Sequence, residues 1–445
     1  MNQRDDHDGE SRSLAAVTLE AVTSPPTRGM AAIAVEAGDL PLGGGLLALV
    51  RPALDRLAPG GVLTVLSSAR TAHDDLGAWC RIERHEFLGS ERLPDGRERH
   101  SIARGNFSVP RWPHDGELEV GRELPLQGGR MLATEVLAAS PFPAHADVHS
   151  GFAPRGAMVE PGGPAYPFAL LERDRVAPPE VAQLYDQAVS GQWDATRDIP
   201  WAKIPKLPAA LESAVGQVMT FLAENELSAL YVPARFLPRI HPAYAETAMF
   251  LATQMADEAR HIDVFLKRAR ARGGTLGVSS TTTSRSLLSL LECEDWNESG
   301  FLLTALGEGT FIDLLRFIEV NAPDEVTAEI ARRARADEAR HVHFGLVHVR
   351  HALSCDPALY GRLEAAVRRR AAQLAGVGGV PAPIADALTI YAAHGDDPPS
   401  VARGHEAFRG LLHEMHVGRM KRLEHAGFTP VQAQTLSDLH TPNFM

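Results

Sequence analysis

The sequence predicts a multidomain α+β protein that is mainly helical: a four-helix bundle with extra helices, preceded by a small two-layer α/β domain. Three observations carry this reading. Helical hydrophobic periods dominate from residue 178 to about residue 427. Short β-type runs alternate with helical ones before residue 105. The hexapeptide Ala-Asp-Glu-Ala-Arg-His occurs twice, at 256–261 and 336–341, each time inside a helical stretch.

Composition bounds the function. A chain of 445 residues holds two or more domains at roughly 150 residues each, and a hydrophobic share of 44% suits a globular core. The net charge of −12 offers no basic footprint for nucleic acid or for an anionic membrane surface. Cys80, Cys293 and Cys355 lack paired spacing, so neither a disulfide framework nor a thiolate metal site is indicated. The polar, acidic N-terminus has no signal-peptide core and no apolar run is long enough to span a membrane. The expected setting is cytoplasmic and reducing.

Residues 1–12 read as a disordered tail and 13–105 as the α/β domain. Strand signals fall at 31–36 and 62–67, helices at 46–57 and 72–82, and two further strands lie around Phe87 and Ser101. Pro94-Asp95-Gly96 is the turn between the last two. Residues 106–175, rich in Pro and Gly, read as a linker or an arm wrapped on a neighbouring surface. The helical domain covers 176–427, with a loop from 273 to 284, and 428–445 reads as a tail that ends irregularly.

Within the α/β domain, the runs 57–65 (LAPGGVLTV), 74–80 (DDLGAWC) and 85–88 (HEFL) resemble the TusA-like sulfur-carrier fold over about 75 residues. The family carries sulfur on the cysteine of a Cys-Pro-x-Pro segment that opens its first helix. Counting back from Pro59 puts that position near Gly43, which cannot carry sulfur. The resemblance therefore implies a former carrier used for docking or assembly, with Cys80 as a structural thiol.

Four helices of the second domain bear the chemistry. The first, 209–231, shows an apolar stripe of Leu211, Val215, Val218, Leu222 and Ala229. Glu226 falls in that stripe, while Glu224 points about 160° away at 100° per residue. A carboxylate on an apolar face costs several kcal/mol of desolvation (roughly) unless paired or metal-bound, so Glu226 is the ligand candidate and Glu224 the solvated alternative. The second helix, 244–270, puts Glu258 and His261 on one face, since residues three apart lie side by side. The third, 298–320, places Glu308 among Phe301, Ala305, Phe311, Ile312 and Leu315, with Gly307 and Gly309 beside it to permit close approach. The fourth, 324–353, repeats the pair as Glu338 and His341.

Four Glu and two His facing inward make the cage of di-metal carboxylate bundles. Carboxylates with imidazole and no thiolate favour iron or manganese over zinc. A ligating His gives its second ring N–H to a carboxylate, and Asp257 and Asp337 are placed to serve the His of the opposite helix, braced by Arg260 and Arg340. A single such hexapeptide is more often a surface helix with an Asp–Arg pair; two identical copies, with Glu226 and Glu308 on apolar faces, point instead to metal. His343, His348 and His351 read as ordinary surface or core histidines.

On these residues the stretch 180–355 resembles the ferritin-like di-iron carboxylate superfamily, in the branch of ribonucleotide reductase small subunits, bacterial hydroxylases and acyl-carrier desaturases. The resemblance implies two iron ions, or a manganese–iron pair, with O2 as co-substrate and Glu226, Glu258, His261, Glu308, Glu338 and His341 as ligands and catalytic centre. It implies an oxidoreductase that hydroxylates, desaturates or otherwise oxidises a small organic substrate, fed by an external reductase or ferredoxin. Self-association into a homodimer is left open. Phe265 stands where reductase subunits bear a radical Tyr, Ile312 where many hydroxylases carry Thr, and Ala334 where N-oxygenases add a seventh ligand. Two other readings stay open: a ferroxidase or iron-binding protein without organic substrate, and a non-catalytic helical scaffold.

Overall fold

The computed structural model describes residues 32–106, 124, 129–160, 162–376 and 379–440. The tail expected at 1–12, much of the first half of the expected arm, and residues 441–445 lie outside the described residues. The chain divides into two compact units, 1–122 and 123–445.

In the first unit the order is β1 (Ala32–Gly38), α1 (Leu46–Asp55), β2 (Val62–Ser67), α2 (Ala72–Ile82), β3 (Glu86–Arg92) and β4 (Glu98–Ala103). The sheet runs β1-β2-β4-β3. β1 and β2 are parallel, joined by the α1 crossover, and the other two pairs are antiparallel. Alternation along β2 turns Leu63 and Val65 inward, where they meet Leu46, Val50 and Leu54 of α1 and Leu76, Trp79 and Cys80 of α2. The β3–β4 turn closes through Gly96 N–H to Leu93 O at 3.0 Å, with Gly96 at φ 89°. Gly43 is exposed in a single 3-10 turn, Leu42–Gly44, just ahead of α1. Cys80 is fully buried, and burial pushes its thiol up to about 12.

The second unit is helical: α3 (Ala133–Ala138), α4 (Arg173–Val176), α5 (Val181–Ser190), α6 (Ala209–Ala234), α7 (Ala245–Arg270), α8 (Thr281–Leu291), α9 (Trp296–Gly300), a π-helical stretch (Phe301–Glu308), α10 (Gly309–Val320), α11 (Glu325–Cys355), α12 (Leu359–Gln373), α13 (Ala382–Ala393), α14 (Pro398–His425) and α15 (Pro430–Leu439). This is the expected class, a mainly helical domain preceded by a small α/β domain. α6 packs on α7, and α10 with the π-helical stretch packs on α11. Residues 129–160 and 162–176 lie on this unit: Leu170 joins the Phe236, Tyr244 and Phe250 cluster, and Arg155 forms a buried ion pair with Glu246.

The third bundle helix is not a uniform α-helix. Its first half is wound as π-helix, and the change to α-helix comes at Glu308. Where this stretch meets α11, a Cβ on Gly345 would stand 2.0 Å from Thr304 Oγ1, so only glycine permits the approach. The space beside Gly309 is taken by Arg422 of α14, which pairs with Asp313 at 2.9 Å. The glycine on that side thus admits a neighbouring helix rather than a metal.

The tail expected at 428–445 carries a helix, α15, whose last three residues fall in the stretch expected to be irregular. Thr429 and Gln432 form a capping box that starts α15, and Ala433 and Leu436 bury against Leu363, Leu423 and Phe428. The amino-acid pattern does not reveal this helix, because one capping signal and ten residues are a weak signature without the groove that receives them. Among the described residues no helix is long and apolar enough to cross a membrane.

Arg268 ties the bundle together. Fully buried on α7, it donates to Glu212 of α6 at 2.8 Å, to Asp324 at 3.1 Å and to Thr327 Oγ1 at 2.6 Å. Asp324 at the same time caps α11 by accepting from Thr327 N–H at 2.9 Å. Arg268→Ala strands Asp324 and should destabilise the helical unit by about 3–5 kcal/mol in chemical denaturation; a loss below 1 kcal/mol (roughly the value of a surface pair) would assign it a surface-like role. In the native protein Cys355, which is exposed, should react with thiol reagents at least about tenfold faster than Cys80, whose thiolate is scarce and covered. Equal rates by mass-resolved alkylation would contradict the buried placement of Cys80.

Candidate metal centre

Each of the six inward residues comes from the middle of its helix. Glu226 projects from α6, Glu258 and His261 from α7, Glu308 from the π–α junction, and Glu338 and His341 from α11. All are at most 2% exposed. Their donor atoms form two overlapping groups of four, each within 4.8 Å: Glu226, Glu258, His261 and Glu338 in one; Glu258, Glu308, Glu338 and His341 in the other. Glu258 and Glu338 belong to both. Each thus lies between the two imidazoles: His261 Nδ1 is 3.3 Å from an oxygen of both Glu258 and Glu338, and His341 Nδ1 is 3.1 Å and 3.4 Å from their other oxygens. Glu226 Oε1 stands 3.6 Å from His261 Nδ1.

These close approaches are not hydrogen bonds. Eight buried atoms of the cage have no hydrogen-bond partner among the described residues: Glu226 Oε1, both oxygens of Glu258 and of Glu338, Glu308 Oε2, and Nδ1 of His261 and of His341. Buried polar atoms are nearly always satisfied, and here the unsatisfied ones converge. The far side of each ring is by contrast bonded. His261 Nε2 is 3.1 Å from Asp337 Oδ2 and His341 Nε2 is 3.2 Å from Asp257 Oδ2, each imidazole reaching the aspartate of the opposite hexapeptide. Arg260 and Arg340 each reach both aspartates.

Electrostatics follow from the crowding. Burial first, then the charges of Glu338 and Glu258, pushes the carboxyls of Glu226 and Glu308 well above their usual range. For Asp337, burial acts upward, but the His261 hydrogen bond and charge and the Arg340 charge outweigh it and hold the carboxyl well below its ordinary value. For His261 and His341, burial acts downward and the surrounding carboxylates overcome it, leaving both rings well above the ordinary imidazole value. This excess of buried negative charge is what a cation among these carboxylates would balance.

Three contributors escape sequence reasoning. Trp193 Nε1 donates to Asp337 at 2.7 Å while the Arg260 guanidinium lies 4.8 Å over its ring. Gln192 Nε2 donates to Asp257 at 3.0 Å, and its oxygen accepts from Arg260 at 2.6 Å. Both sit in the loop after α5, where no periodicity marks them. Gln254 donates to Glu308 Oε1 at 3.1 Å; its position one turn before Glu258, on the ligand face, was the available signal. Glu224 is half-buried and accepts from Ser279 Oγ, away from the cage. Phe265 lies beside His261, with ring centroids 6.2 Å apart, while Ile312 and Ala334 pack in the two large apolar clusters. His343 bonds Glu180 at 3.1 Å, and buried His348 bonds Asn297 at 2.8 Å, with burial pushing it down to about 4.

No family model and no curated protein matches this chain. Similar solved structures include an R2-like ligand-binding oxidase with aerobically reconstituted metal cofactor after photoconversion, 15% identical over 57% of this chain and 92% of that chain, with a TM-score of 0.40. Two mutants of R2-like ligand-binding oxidase also match. One carries an aerobically reconstituted Mn/Fe cofactor (16% identity, 57% and 92% coverage, TM-score 0.41). The other carries an Fe/Fe cofactor (17% identity, 55% and 92% coverage, TM-score 0.43). At such distance the metal centre of this chain is read from its own donor atoms.

Proposed function

We propose that the helical unit is an oxidase whose buried cage holds two metal ions, an iron pair or manganese with iron, and uses O2 to oxidise a small organic substrate. The single observation that carries this is the set of eight unsatisfied donor atoms converging at one buried centre. In this reading Glu226 and His261 serve one ion, Glu308 and His341 the other, and Glu258 and Glu338 both. The bound metals supply electron exchange with O2, which side chains alone do not perform.

The remaining work belongs to the chain. Asp337 and Asp257 accept the Nε2 protons of the two histidines and so fix the tautomer that leaves Nδ1 free to ligate. Arg260 and Arg340 hold both aspartates ionised and in place. The enclosing apolar clusters exclude water, which strengthens every charge interaction within. Oxygenation or desaturation with O2 consumes two external electrons and two protons per turnover; the chain has no flavin, nicotinamide or iron–sulfur motif, so a separate reductase or ferredoxin is the proposed donor. We further assign the α/β unit a docking or assembly role in a carrier-like fold. Its Gly43 offers no thiol, and Cys80 is enclosed.

Elemental analysis after anaerobic loading and exposure to O2 should find about two iron, or iron plus manganese, per chain, with optical bands that form on oxygenation. Zinc alone, or no metal, would end the oxidase reading. Because ligands bind the native state only, the loaded protein should also melt higher than the metal-free one, by about 2.7 kcal/mol of added stability at 100 Kd of free ion.

Neighbouring glutamates on α6 give a sharper test. Glu226→Ala and Glu308→Ala should lower metal occupancy while circular dichroism stays helical. Glu224→Ala should leave occupancy unchanged and stability within about 0.5 kcal/mol. Metal loss in Glu224→Ala with none in Glu226→Ala would reverse the assignment.

A further inference from the structure

A second group of metal-type donors lies outside the cage. Asp174 of α4, with His351 and Cys355 of α11, present a carboxylate oxygen, an imidazole nitrogen and a thiol sulfur within 4.8 Å of one another. His351 and Cys355 are four apart on the helix, hence on one face, and Cys355 Sγ is 4.0 Å from His351 Nε2. Asp174 comes from a different element and closes the third side.

We infer that these three residues form a separate site for a single zinc-type divalent ion. Tetrahedral zinc with bonds near 2.0–2.3 Å sets its donors roughly 3.3–3.7 Å apart. The sulfur–nitrogen separation is thus within a few tenths of an ångström of that value, and Cys355 and Asp174 are exposed enough to turn in. The donor set is softer than the cage, which has no sulfur, and so selects a different metal. Three protein ligands leave the fourth position to water or a small ligand. Arg173 Nε holds Asp174 Oδ1 at 3.1 Å, which leaves the other oxygen for the ion and limits affinity by its charge. An ion here staples α4, and with it the end of the 129–176 segment, to the helix that carries Glu338 and His341.

Cobalt(II) titrated into the full-length protein tests the site, because a thiolate–cobalt charge-transfer band in the near ultraviolet cannot come from the sulfur-free cage. One equivalent should produce the band in the wild type and in Cys293→Ser. It should vanish in Cys355→Ser and in His351→Ala, with cage metal content unchanged in all variants. Zinc should in parallel slow alkylation of Cys355. No band at excess cobalt, or an undiminished band in His351→Ala, would overturn the site. Neither outcome bears on the two-metal reading of the cage, which is measured by its own occupancy.

Discussion

Four carboxylates enclosed in one protein interior are the constraint on which the helical unit depends. Taking a charge out of water costs several kcal/mol (roughly) after relaxation, and Glu226, Glu258, Glu308 and Glu338 sit together at no more than 2% exposure. Two divalent cations carry the four positive charges that would balance them while both imidazoles stay neutral. The layer behind is balanced on its own, two aspartates against two arginines. Each layer can therefore be closed to water only as a complete set, which is why the supporting contacts reach as far as Gln192 and Trp193 in a loop.

Much of this was legible because helical geometry turns spacing into direction. Glu-x-x-His at 258/261 and 338/341 fixes a carboxylate and an imidazole on one face whatever surrounds them. The apolar stripe of α6 separates Glu226 from Glu224 by phase alone. The crossed pairing of Asp257 with His341 and of Asp337 with His261 follows from two identical hexapeptides facing each other. In the first unit the β2 and α2 bounds agree with the runs 62–67 and 72–82, since each is a short period closed by turn residues.

What was not legible depends on contacts between distant segments. Trp193 and Gln192 lie 144 and 65 positions from the aspartates they bond, and no local pattern encodes such pairings. Arg268 shares the last turn of α7 with Lys267 and Arg270, yet it is buried because Glu212 and Asp324 converge on it. The π-helical winding ahead of Glu308 also escapes a rule of 100° per residue, which presumes uniform α geometry. Glu308 still faces inward because α-helix resumes from its position onward, in phase with Phe311 and Leu315.

That winding makes sequence symmetry and site symmetry different things. The two hexapeptides are letter for letter the same, so a duplicated motif would suggest two interchangeable seats. Glu226, however, stands on an unbroken α-helix, whereas Glu308 ends a stretch whose hydrogen bonds are wound one residue wider and is held by the Gln254 amide. One seat is borne by a stiff rod and the other by a joint. An ion entering the first meets a carboxylate with a fixed backbone, and one entering the second meets a carboxylate at a change of helical pitch. The two seats thus share their ligand letters and differ in the backbone that carries them.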